Sequence, residues 1–344
     1  MHTHIADGVR RRRILLPLLS RASFVETDMR LLAERYDVRA KYCRSPLDVL
    51  GTCVAVLSAD CVFCWFASIW FVPVVAIARL LRIPVVVVCG GYDVANLPEI
   101  KYGNMRPSAA RILTRFVLRS ASIILPFSRS AERETRENGG VGADKVRMIY
   151  LATDDATPAT GASGGDIAKQ PVVLTVGNID ASTLTRKGLL TVAAVSRLMP
   201  DVQFLMVGAA EPSSLGQLRD AAGPNLTFTG RVDDANLHQL MASAKVVFQP
   251  SRHEGFGMAV AEAMLYGAVP VVSRLFSLPE VAGDIGYYGD PDNPASFVQA
   301  IRLALASPAE VGAAARAHVL KEFPIQRRRS ALFSVLEGLL PGQV

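Results

Sequence analysis

The chain has 344 residues, 50% of them hydrophobic, a formal net charge of +6 and five cysteines. That length exceeds the roughly 250 residues one core organises and points to two domains, while the apolar content excludes a disordered chain and suits parallel sheets buried on both faces. The positive charge favours an acidic partner without choosing among nucleotide phosphates, anionic lipid and nucleic acid.

"RRRR" at 10–13 followed by "ILLPLL" has the outline of a signal peptide. The apolar run is too short, Arg21 interrupts the residues beyond it and no small-residue cleavage site appears, so a first strand with a basic lead-in is expected. "SFVETDMRLLAERY" then predicts an amphipathic helix and "DVRAKYC" a second strand. Residues 62–78, "VFCWFASIWFVPVVAIA", carry no charge and reach the lower edge of a membrane span. Pro73 breaks the run and "RIPVVVV" comes at once after it, which favours a buried strand and helix; Trp65, Phe66, Trp70 and Phe71 leave interfacial membrane contact open. Cys61 and Cys64 form a C-x-x-C pair with no matching partners elsewhere. Buried thiols in a reducing, cytoplasmic compartment are expected, with no metal site and no disulfide framework.

"PVVVVCG", a helix over about 107–119 and "ASIILPFS" continue the strand–helix alternation. Residues 153–170, "TDDATPATGASGGDIAKQ", lack large apolar side chains and read as a linker. Alternation restarts with "PVVLTVGN", a helix over about 187–199, "VQFLMVG", a helix near 213–222, "LTFTGRV", a helix near 235–243 and "KVVFQPS". The expected fold is α/β, two Rossmann-like doubly wound domains facing a cleft, where small-molecule sites usually lie. Residues 1–157 form the first domain, 158–322 the second, and 323–344 a terminal helix that crosses back.

"VVFQPSRHEGFGMAVAEAMLYGAVPVVS" holds the densest chemistry. A strand ends at Pro250, a short loop carries Glu254, a helix runs from Met258 to Tyr266 and Gly267 stops it. The amides of Gly255, Phe256, Gly257 and Met258 then lie at a helix N-terminus on the carboxyl edge of a parallel sheet, an anion site. Glu262, one turn further in, can project from the same end toward a neutral polyol such as a ribose. A helix dipole alone accounts for acidic residues in a first turn, but not for the paired glycines.

This pattern resembles the GT-B retaining nucleotide-sugar glycosyltransferases, family 4, in which two glutamates separated by seven residues mark the donor site, as "EGFG" followed by "EAM" and "G-x-P-V-V". The resemblance extends over the C-terminal half. It implies that Glu254 contacts the transferred sugar, that Glu262 holds the ribose, and that the amides of residues 255–258 lie near the diphosphate. In "TLTRKG", Arg186 and Lys187 take the places of the basic pair that stabilises the departing diphosphate without a metal. In "TGRVDD", Arg231 and Val232 match the segment flanking the nucleobase, and Leu278, Pro279 and Glu280 fit the family pattern after the motif. The resemblance implies a hexose-type transferase with retention of configuration, a nucleoside-diphosphate sugar as donor substrate and no cofactor.

The N-terminal half departs from that pattern. The family's two glycines after the first strand are absent from "LLPLLSRASFVETD", and its histidine-glycine strand end is replaced by "VVVVCGGYDVAN". Asp93 in "GGYD" reads either as a catalytic residue handling acceptor or donor sugar, or as a turn cap. His253, beside the motif, reads as a donor-sugar neighbour or a plain loop residue. The acceptor stays open among glycan, lipid-linked and small-molecule kinds. Arg327, Arg328 and Arg329 on the terminal helix are candidates for peripheral contact with anionic lipid. A GT-B epimerase or phosphorylase, or a non-catalytic nucleotide-sugar-binding homologue, is the alternative. A dinucleotide oxidoreductase lacks its glycine fingerprint, and nucleic-acid binding has only net charge behind it.

Overall fold

The computed structural model describes residues 11–153 and 168–340. Most of the linker, with Asp154 and Asp155, lies outside them. The first domain is a parallel sheet of β1 (Arg13–Leu18), β2 (Asp37–Tyr42), β3 (Cys61–Trp65), β4 (Val85–Cys89) and β5 (Ile123–Pro126), ordered β2-β1-β3-β4-β5. The second is a parallel sheet of β6 (Gln170–Val176), β7 (Gln203–Val207), β8 (Leu226–Gly230), β9 (Ala244–Gln249), β10 (Val269–Ser273) and β11 (Tyr287–Gly289), ordered β11-β10-β9-β6-β7-β8. In both, the order reverses beside the first strand, and the connections diverge there to leave a crevice at the carboxyl edge.

The sequence pattern explains why the central strands settle there. β3 and β4 read CVFCW and VVVVC, are buried at every position, and have helices on both faces to receive them. β2, at the sheet edge, reads DVRAKY and stays largely exposed. All five cysteines are free and buried, and burial pushes the Cys61 thiol up to about 12. The uncharged run 62–78 is indeed a strand and a helix, Val72–Leu80. Among the described residues no helix is long and apolar enough to cross a membrane. Trp65 and Phe71 are core residues, 2% and 0% exposed, which removes half of the aromatic cluster from any interface.

Two helices fall where the sequence pattern gives no element. Pro46–Val56 starts at a capping box in which the Ser45 hydroxyl accepts the Asp48 amide and the Asp48 carboxylate accepts the Ser45 amide. Arg129–Gly139 starts at Ser128, whose hydroxyl accepts from the Ala131 amide. Both caps were present in the sequence, but neither helix has the ordinary apolar-in, polar-out contrast.

The last helix, Ile325–Leu339, packs on Ser23–Ala33 of the first domain. Its middle arginine corrects the lipid expectation, because it is buried against protein. Arg328 is buried, donating through Nε and Nη2 to both oxygens of buried Asp28, each at 2.6 Å, and through Nη1 to the Ile149 and Tyr150 carbonyls. Arg329 pairs with Glu34, and Arg327 donates to the Glu322 and Lys321 carbonyls. Burial pushes the Asp28 carboxyl up while Arg328 pulls it down. One buried apolar cluster continues from Leu31 and Leu32 through Leu332 and Leu336 to Phe323 and Phe256, so the two domains share a core.

The two pairs differ in burial, and their substitutions separate accordingly. Arg328→Ala strands a buried carboxylate and is expected to cost about 3 to 5 kcal/mol. Arg329→Ala breaks an exposed pair and is expected to cost about 1 kcal/mol or less. Urea unfolding of the two variants checks this; equal losses would contradict it.

Candidate active site

The two carboxyl edges enclose a cavity of about 770 Å3. On the second domain it is lined by Gly177 and Asn178 after β6, Gln249 at the end of β9, Arg186, Lys187 and the stretch Glu254–Val260 with Glu262. Asp93 lines it from the first domain. Arg231, exposed, and Val232, packed on the core, stand after β8 and are not among the lining residues.

The loop between β9 and the helix Met258–Leu265 is fixed by its own small polar side chains. The Ser277 hydroxyl donates to the carbonyls of Glu254 (2.7 Å) and Phe256 (2.9 Å), the Ser273 hydroxyl donates to the Ser251 carbonyl, and the Ser251 hydroxyl donates to Glu254 Oε2 at 3.2 Å. The Phe256 ring is buried between Tyr150 and Phe323. Gly257 has φ +104°, a left-handed conformation that a side chain would strain, and it opens the helix. Among the described residues no acceptor meets the amides of Gly257, Met258 or Ala259, which line the cavity at the positive end of the helix.

Arg186 and Lys187 stand together at a helix end. They end a short helix, Ala181–Arg186, capped by Asp180, whose carboxylate accepts the amides of Ser182 and Thr183. Gly188, at φ +67°, then turns the chain so tightly that a Cβ there would overlap the Pro250 carbonyl oxygen. This contact ties the basic turn to the acidic loop, as does the Arg252 amide, which donates to the Arg186 carbonyl at 2.8 Å. Among the described residues neither Arg186 nor Lys187 pairs with a carboxylate within 4.0 Å. The buried Arg186 Nε has no hydrogen-bond partner, and the Lys187 ammonium lies over Gly177. Two cations and three free amides thus line one space, and the carboxylates that share it, Glu254, Glu262 and Asp93, form no ion pair with either cation within 4.0 Å.

Burial, then the charge of Asp234, pushes the Glu262 carboxyl up to about 7, with Lys187 acting in the opposite direction. Asp93 is buried, and its carboxylate accepts the amides of Ala67 (3.0 Å), Gly91 (2.9 Å) and Gly90 (3.3 Å), which ties the end of β3 to the turn after β4. Burial raises this carboxyl against the pull of those amides. His253 faces away from the motif: it is 1% exposed and its Nε2 meets the Glu134 carboxylate at 3.1 Å.

The first domain contributes groups that sequence reasoning missed. Phe24, Phe66 and Tyr102 line the cavity, Phe66 at φ +69° and Tyr102 under the Arg186 guanidinium, 5.1 Å from its ring centre. Tyr102 belongs to residues 90–108, an excursion between β4 and the helix Ala109–Ser120 held by the Leu97–Tyr102 bridge. A connection that long, where about 2 to 6 residues are usual, was the available signal.

Two facing Rossmann-like domains with the site at their shared carboxyl edges define a GT-B architecture. The solved structure of Anabaena Alr3699/HepE in complex with UDP and glucose superposes with a TM-score of 0.79 at 16% identity, covering 95% of this chain and 100% of that one. Residues 170–307 match the family model described as glycosyl transferases group 1. The chain is 43% identical over 189 residues to O-antigen chain mannosyltransferase B of Escherichia coli, 51% of this chain and 49% of that protein. It is 27% identical over 200 residues to alpha-D-kanosaminyltransferase of Streptomyces kanamyceticus, 54% and 52% of the two chains. The chain thus spans about half the length of the curated relatives it matches.

Glu262 gives the site a pH signature. A carboxyl raised from 4.5 to about 7 contributes stability that is present below 4.5 and lost as pH rises through about 7. Glu262→Gln removes that loss. Without ligand, the variant is expected to exceed wild type in unfolding free energy at pH 8 by an amount on the order of 2 to 3 kcal/mol, with the gap narrowing toward pH 5. Urea titrations at both pH values test this; a gap independent of pH would contradict it.

Proposed function

We propose that the chain is a retaining, metal-independent glycosyltransferase that moves a hexose-type sugar from a nucleoside-diphosphate sugar to an acceptor bound on the first-domain side of the cleft. The observation that carries this reading is the unpaired Arg186 and Lys187 facing the open helix N-terminus of Gly257–Ala259. A diphosphate is the anion such a site fits: the cations take charge on its oxygens and the amides donate to them. As the glycosidic bond breaks, the leaving diphosphate gains negative charge, and cations already in position stabilise it without moving. Glu254, held by Ser251, accepts from hydroxyls of the transferred sugar. Glu262 accepts from the ribose. Arg231 and Val232 would flank the base only from outside the cavity rim, and Asp93 would act on substrate through the Gly90–Gly91 turn that it fixes. The mannosyltransferase name of the relative sharing 43% identity supports a hexose donor. The leaving diphosphate takes the acceptor proton as the acceptor attacks from the same face.

Incubation with UDP-, GDP- and ADP-sugars, with and without candidate acceptors, tests the reading through nucleotide release and sugar transfer. Arg186→Ala and Lys187→Ala are each expected to lower kcat/KM by about 2 to 4 kcal/mol of transition-state stabilisation. Wild-type rates in both would overturn the assignment. Glu254→Gln is expected to lower kcat, and Glu262→Gln mainly to raise KM, because a ribose contact is made equally in ground and transition states. Unchanged kinetics in both glutamine variants would leave these residues without a substrate role.

A further inference from the structure

The helices Pro46–Val56, Val72–Leu80 and Ala109–Ser120 connect β2 to β3, β3 to β4 and β4 to β5. All three crossovers run in one direction along the sheet, so right-handed connection puts them on one face, and the middle helix packs on both others. Their outward side is unusual for a solvated layer. Leu47, Leu50, Val54 and Leu57 are 79%, 62%, 61% and 68% exposed, at a spacing that makes one helical stripe. Leu80 on the second helix and Ile112 on the third are 82% and 72% exposed. The four along the first helix form one apolar stripe, which a soluble monomer rarely leaves open to solvent.

The charges on this face are one-signed. Residues 44–58, 69–82 and 109–121 hold six arginines, Arg44, Arg79, Arg82, Arg111, Arg115 and Arg119, and one acidic residue, Asp48. Asp48 is engaged in capping its own helix, accepting the amides of Arg44 and Ser45 at 3.1 and 2.9 Å. Among the described residues none of the six arginines joins an ion pair, whereas arginines elsewhere do, as Arg13 with Asp37 and Arg302 with Asp201. Arg111 and Arg119 lie near enough to Arg115 for their charges to add to burial in lowering its pKa.

Arg44, Arg79 and Arg115 each donate one hydrogen bond to a protein oxygen, but among the described residues no carboxylate neutralises any of the six. Exposed leucines beside guanidiniums of uncompensated charge match a bilayer of acidic lipid, whose acyl boundary accepts the apolar side chains and whose phosphates accept the arginines. The face also reaches the site. Parallel crossovers place all three helix N-termini at the carboxyl edge of the sheet, where Ile69, 40% exposed, lines the cavity beside the equally exposed Trp70. We infer that the outer helical layer of the first domain docks on an anionic membrane surface, with the mouth of the cleft at its edge. The docking rests on these residues alone. Its consequence, that an acceptor held in the bilayer reaches the first-domain side of the cleft, rests on the glycosyltransferase reading.

Sedimentation of the full chain with vesicles of phosphatidylcholine, with and without phosphatidylglycerol, tests the docking. The protein is expected to partition at least about tenfold better onto the anionic vesicles and to lose that advantage as salt screens the arginines. The triple variant Leu47→Ser, Leu50→Ser, Val54→Ser and the double variant Arg111→Glu, Arg119→Glu should each weaken binding while retaining wild-type nucleoside-diphosphate binding, which reports that the fold and the cleft are intact. Absence of vesicle binding at low salt, or binding unaffected by either variant, would overturn the inference. So would self-association of the wild type that both variants abolish, which assigns the face to a second copy of the chain. Vesicle binding without sugar transfer would leave the docking standing and count against the proposed reaction alone.

Discussion

The cleft depends on a close approach between two glycines. Gly255, in the acidic loop of the second domain, lies so near the Gly90 carbonyl of the first that a Cβ would overlap that oxygen. Gly90 in turn has no room for a side chain against Ala131 and Phe127. Around this contact the helix Arg129–Gly139 is gripped from across the cleft: its first two amides donate to the Glu280 carboxylate, each at 2.8 Å, and Tyr150 donates to the same group. The Ser128 hydroxyl donates to the Gly255 carbonyl, and Glu134, further along the helix, meets His253. Hydrogen bonds to a charged group contribute about 1.5 to 3 kcal/mol each, and this carboxylate also sits at the favourable end of a helix dipole. The two halves of the site are thereby held at one separation.

That grip explains why the acidic loop can serve as a rigid platform. Its carbonyls are taken by Ser277, Ser273 and Ser128, and its phenylalanine by the shared core. Among the described residues the amides of Gly257–Ala259 are left without an acceptor, and their residues line the cavity. The basic turn is locked to the same loop through Gly188 and Arg252. Charge complementary to a diphosphate is therefore assembled before any ligand arrives, the arrangement in which fixed dipoles and cations stabilise developing charge most effectively.

Much of this was legible in the sequence, for identifiable reasons. Strands buried on both faces read as unbroken apolar runs, as β4, β9 and β10 do, while β3 opens the uncharged run 62–78, where Pro73 separates strand and helix from a membrane span. The loop and helix from Glu254 to Gly267 carry their own stop and start signals. The helix Pro46–Val56 was hidden because apolar residues face both ways, Val49, Cys53 and Val56 inward and Leu47, Leu50 and Val54 outward. Arg129–Gly139 was hidden by the opposite composition, since it buries Glu134 against His253 of the other domain and Thr135 against Cys89 of its own sheet. Arg328 looked like a surface cation because its partner Asp28 is 300 residues away. Tyr102 and Phe66 were invisible as site residues, because the first-domain wall is built from the particular course of one long loop and one left-handed turn.

A crystal structure with a bound nucleoside diphosphate measures the central claim most directly. The diphosphate should lie between Arg186 and Lys187 on one side and the amides of Gly257–Ala259 on the other, with the ribose at Glu262. A diphosphate bound elsewhere on the protein, with these cations and amides facing solvent, would contradict it.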